Sequence, residues 1–144
     1  MSSALDRLKK LTSKISSYEM ARKENLVVLK SLYAEIGIDK KVQEFSSIFE
    51  FKAINLSGAS LSSESLGVVK KGKYLQVLAI EYDKDAVVKS KNISLGYYGR
   101  AESVDVEFKD KVVEFIIRYR FEKSFITLEH YHDMLLPYNK KTDG

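Results

Sequence analysis

The sequence predicts an α+β fold, with a long N-terminal amphipathic helix packed on a curved antiparallel sheet of six or seven strands. Three observations carry this expectation. Leu8, Leu11, Ile15, Tyr18, Arg22, Asn25, Leu29, Leu32 and Ile36 form an unbroken heptad seam, polar only at Arg22 and Asn25. From Phe49 onward the apolar period changes to two. The links between the later apolar runs are too short for parallel crossovers, so neighbouring strands are expected to be antiparallel. The 144 residues suit one domain with a single core. Its expected parts are a long helix over 1–37, a short helix plus sheet over 38–138 and a flexible tail over 139–144.

Both ends of the first helix are chemically marked. Ser3 and Asp6 have the spacing of a capping box, and the acid suits the positive end of the helix dipole. Gly37 can adopt the left-handed backbone that closes a helix, with Ile38 folding back towards Tyr33. A helix of about 33 residues is roughly 50 Å long, whereas a compact chain of this size is about 37 Å across. The helix therefore either projects and pairs with another copy or breaks and folds back. Thr12, Ser13, Ser16 and Ser17 are poor helix-interior residues and mark the expected break. The apolar stripe is narrow before Ser17 and widens after Met20, so the second half reads as core and residues 1–17 as an arm. Leu5, Leu8, Leu11, Ile15 and Tyr18 are the expected oligomerisation residues, with a homodimer favoured. Arg22 and Asn25 either fix register or face water where the seam ends.

After a short helix over 39–47, strands are expected over 49–56, 68–69, 74–82, 87–98, 101–108, 112–121 and 125–131. The Ser- and Gly-rich stretch from Ser57 to Ser65 reads as a mobile loop, and Asp83-Lys84-Asp85 as a turn. One hairpin can be registered from its pattern. Matching apolar faces pairs Phe108 with Val113, Val106 with Phe115 and Val104 with Ile117, which brings Glu107 beside Glu114.

Composition narrows the function classes. With no cysteine, disulfides and thiolate metal sites are excluded. The net charge is +4, and residues 1–40 hold eight Lys or Arg against five acids. This is a basic protein, but a dedicated duplex binder usually carries a denser patch. No apolar run reaches membrane-spanning length and the first ten residues lack the apolar stretch of a secretory leader, so a cytoplasmic location is expected.

Among short motifs, Gly96-Tyr97-Tyr98-Gly99-Arg100 is the best recognition candidate. It reads as a turn whose aromatics and arginine could grip a peptide or stack bases, with Arg118 and Arg120 extending the surface. His130 and His132 would point the same way from a strand, a spacing that metal sites use, whereas a helix ending before Pro137 would separate the two rings; no third ligand is visible and a surface pair is the commoner arrangement. No catalytic residue, metal or cofactor is assigned. The first expectation is a non-enzymatic interaction protein of inhibitor, immunity or accessory type. It would self-associate through the first helix and present the sheet and the GYYGR turn to a partner protein. The alternatives are a nucleic-acid-binding module that uses the basic helix and the same turn, and a ligand or enzymatic pocket between helix and sheet.

Overall fold

The computed structural model describes residues 3–81 and 91–142, with all their side chains except those of 15, 16 and 140–142. Helix α1 spans Ala4–Glu35 and helix α2 spans Val106–Thr142, with strands β1 (Ala53–Ser57), β2 (Tyr74–Glu81) and β3 (Lys91–Arg100) between them. The strands form a three-stranded antiparallel meander in the order β1-β2-β3. The fold is α+β, but the expected sheet of six or seven strands is overturned: residues expected to form its last two strands, and the end of the one before them, belong instead to a long C-terminal helix.

The physical reason lies in the burial pattern of α2. Val112, Val113, Phe115, Ile116 and Tyr119 are buried, and with the buried Glu122 they recur at the three- and four-residue steps of a helix. A strand would have buried Ile117 with Phe115 and exposed Ile116, yet Ile116 is fully buried and Ile117 is 41% exposed. Asp105 starts the helix by accepting the backbone N–H of Phe108 on its carboxylate. The segment is rich in Val, Ile, Phe and Tyr, so its local preference favours strand; tertiary packing overrides it. The expected Phe108–Val113 hairpin does not exist, and Glu107 and Glu114 are not cross-strand neighbours but lie two helical turns apart.

Other boundaries shift as well. Two 3-10 turns, Ile38–Lys40 and Phe45–Glu50, replace the single short helix, and strand pairing begins only at Ala53. The Gly96–Arg100 run is the end of β3, not a turn. The Ser-rich segment is tied down: Ser60 N–H donates to Val68 O, and Gly67 N–H to Ser60 O. Gly58 is required at its base, because a Cβ there would fall 2.6 Å from the carbonyl oxygen of Tyr74. The expected turn at Asp83-Lys84-Asp85 lies outside the described residues.

Helix α1 runs unbroken through Ser17 for 32 residues, with the Ser3–Asp6 capping box formed and Gly37 in the left-handed region at φ 83°. Arg22 meets Glu122 and Asn25 meets Arg118, so α1 and α2 pack antiparallel. Their inner halves share one core with the buried face of the sheet. Leu29, Leu32 and Ile36 from α1 join Phe115, Ile116 and Tyr119 from α2 over Ile54, Leu75, Val77, Ala79 and Leu95. An aromatic ladder closes one side of it: Tyr33 to Phe45 at 5.4 Å, Phe45 to Phe49 at 5.7 Å and Phe49 stacked on Tyr119 at 5.6 Å. Such pairs contribute about 0.5–1.5 kcal/mol each beyond their buried area.

Candidate interaction interface

A polar ladder joins the two helices where the core ends. The Arg22 guanidinium grips the Glu122 carboxylate from Nε (2.9 and 3.1 Å) and Nη2 (2.8 Å), and reaches Glu129 from Nη1 at 2.6 Å. Its flat face lies 5.1 Å from the Phe125 ring centre. Glu122 is only 3% exposed. A carboxylate at that depth is tolerable only when paired, and the fork of an arginine satisfies both oxygens. The hydrogen bond to Glu122, then that to Glu129, pushes the Arg22 pKa upward. One turn deeper, Asn25 donates to the Arg118 carbonyl and accepts from the Arg118 guanidinium, which also holds Glu114 at 2.7 Å. The two polar residues of the heptad seam therefore face α2 rather than water.

Beyond this ladder the helices continue without cover. Every described side chain over 3–20 is exposed, and so is every one over 127–139. On α1 the uncovered apolar residues include Leu5, Leu8, Leu11, Tyr18 and Met20. The side chain of Ile15, expected in the same stripe, lies outside those described. On α2 they include Leu128, Tyr131, Leu135 and Tyr138, between 54% and 67% exposed. Each arm is about 25 Å long.

The α2 arm carries a seam that reading the sequence as strands concealed. Ile117, Phe121, Ser124, Leu128, Tyr131, Leu135 and Tyr138 follow one another in alternating steps of four and three. It lies roughly 80–180° around the helix from Glu129, so α1 does not cover it. A groove of about 570 Å³ opens beside its inner end, floored by Val113, Ile117 and Phe121 and walled by Ala21 and Leu66. Lys109 holds that wall by donating to the Gly67 carbonyl at 2.9 Å. A second groove of about 620 Å³ runs along the other side, between β1 and the α2 residues Ser124, Leu128 and Tyr131.

The residues expected to form one recognition surface are dispersed. Tyr97 is 58% exposed and lies 5.7 Å from Tyr74 of β2, also exposed. Arg100 follows at the end of β3 with its side chain 67% exposed, 4.0 Å from Glu102. Tyr98 points the opposite way: its hydroxyl donates to Ile36 O at 2.8 Å and its ring meets Phe108 edge-on at 5.0 Å. Burial pushes the Tyr98 phenol up to about 12. Arg118 belongs to the interhelical ladder, and Arg120 donates to Asn55 of β1, at the opposite edge of the sheet from β3. Only Tyr97 and Arg100, with Tyr74 added, form an exposed patch.

His130 and His132 are exposed on one helix, with His132 3.6 Å from Asp133. Among the described residues no three His, Cys, Asp or Glu side chains converge to hold a metal ion. None of the helices described is long and apolar enough to cross a membrane. No protein-family model, curated protein or solved structure matches this chain, so the surface itself carries the functional argument.

Proposed function

We propose that this chain is an interaction protein that self-associates through its helical arms and offers the exposed sheet edge to a partner protein. The observation that carries this reading is the unburied apolar stripe on α1: Leu5, Leu8 and Leu11 are 56–60% exposed on a helix whose inner turns form the core. Contiguous exposed apolar surface of this extent marks an interaction site in a folded protein. Arg7, Lys9, Lys10 and Lys14 flank the stripe and keep the arm soluble until it is covered.

The Tyr74–Tyr97 pair with Arg100 supplies the second contact, because exposed aromatics beside an arginine are the residues most often found at the energetic centre of interfaces. The test is light scattering after gel filtration on full-length chain and on a Leu8→Glu/Leu11→Glu variant. Self-association through this arm predicts a mass above 16.5 kDa for the native chain and a fall towards it for the variant. A native monomer across a hundredfold concentration range removes the reading.

A further inference from the structure

Resting on that self-associating reading, we infer that the α2 seam is the site at which a second copy binds, forming an antiparallel pair of α2 helices. Three features of the structure choose this occupant. The seam repeats every seven residues over three heptads, the period of a helix that pairs with another helix. Its inner end continues without interruption into the groove walled by Leu66 and Ala21, so whatever covers the outer end must also fill that groove. An antiparallel second copy does both at once, because its own tip reaches the groove while its groove receives the first tip. The contact is then isologous and closes as a dimer.

The same symmetry fixes the register. Ile117 falls opposite Leu135 of the second copy, Phe121 opposite Tyr131, and Ser124 opposite Leu128. The smallest seam residue meets a leucine, and of the seam only Tyr138 has no seam residue opposite it. Tyr138 of the second copy then falls beside Glu114, bringing a phenol to a carboxylate where the apolar seam gives way to charge. A parallel pair leaves both grooves empty and sets the helix dipoles side by side in the unfavourable sense. The exposed seam and groove floor offer on the order of 600 Å² of apolar surface per copy. With the flanking stems of Thr127 and Met134 this approaches the ~800 Å² per partner of stable complexes.

The test uses the full-length chain. Leu128→Glu/Leu135→Glu should reduce the mass in light scattering from about twice 16.5 kDa to that value, with the near-ultraviolet circular dichroism of the core unchanged because both residues are exposed. Register is read with a short bismaleimide, since the chain has no cysteine of its own. A mixture of Ile117→Cys and Leu135→Cys chains should cross-link, and Leu135→Cys alone should not. Linking of Leu135→Cys to itself overturns the antiparallel pairing. A dimer that survives Leu128→Glu/Leu135→Glu but dissociates with Leu8→Glu/Leu11→Glu overturns the α2 seam and leaves self-association standing. A native monomer throughout overturns both.

Discussion

The inner and outer halves of α1 follow the same heptad rule and meet opposite fates. From Arg22 to Ile36 the α1 seam lies against α2 and the sheet, and Leu29, Leu32 and Ile36 are no more than 4% exposed. Leu5, Leu8, Leu11 and Tyr18 of the same helix are at least 48% exposed. On α2 the buried face ends at Glu122, and the exposed seam that starts at Ile117 runs along a different face. A periodic stripe records that a face is built to be covered. Whether the cover is the chain's own sheet depends on how far the sheet extends, and three strands of five to ten residues reach only the inner halves.

The sharpest test of this contrast is truncation of matched residues. Phe115→Ala and Leu29→Ala, both fully buried, should each cost about 3–5 kcal/mol in chemical denaturation. Next comes the ladder between the halves. Arg22→Ala strands the Glu122 carboxylate at 3% exposure and should cost about 3 kcal/mol in the same measurement. Glu129→Ala removes only the exposed end of the same ladder and should cost under about 1 kcal/mol.

Tyr98→Phe should cost about 1 kcal/mol through loss of the hydrogen bond to Ile36 O. It also tests a pH effect. The Tyr98 phenol is raised from 10 to about 12 in the folded chain, so its contribution is fully present below pH 10 and is lost as pH climbs towards 12. Alkaline unfolding followed by tyrosine absorbance should lose that component in the variant. The smallest effect is expected in the arm: Leu11→Ala, measured at concentrations where the chain is monomeric, should change stability by less than about 0.5 kcal/mol. A cost near that of Leu29→Ala would mean that the arm is covered within one chain.

The first helix was legible because its ends carry chemistry. Ser3 and Asp6 cap each other's backbone, and Gly37 takes a conformation that other residues avoid. The second helix was not. Val104, Val106 and Phe108 alternate, as do Val113, Phe115, Ile117 and Tyr119, and both runs are rich in the branched and aromatic residues of strands. A period-two reading accounts for those positions but leaves Val112 and Ile116 on the wrong face; the helical reading buries both. The usable signal was longer in range: the four-three steps from Ile117 to Tyr138 persist across segments read as separate strands. The GYYGR run was read as a turn, and the structure places it in a strand. In a strand neighbouring side chains point to opposite faces, so Tyr97 and Tyr98 could not act together once the run lay in β3.

Pro137 sits inside α2 and deprives the Asp133 carbonyl of the N–H that would complete its turn. Together with the uncovered stretches on both helices, this sets where cooperativity ends. Turns that lack tertiary contacts are held by local interactions, and isolated helices of this length are marginal in water. The monomer should therefore melt in two stages, with the outer turns losing ellipticity first and the environment of Tyr33 and Tyr119 collapsing later as one unit. Hydrogen exchange would draw that boundary at the Arg22–Glu122 pair, and a second copy clasping α2 would move it outwards to the tip.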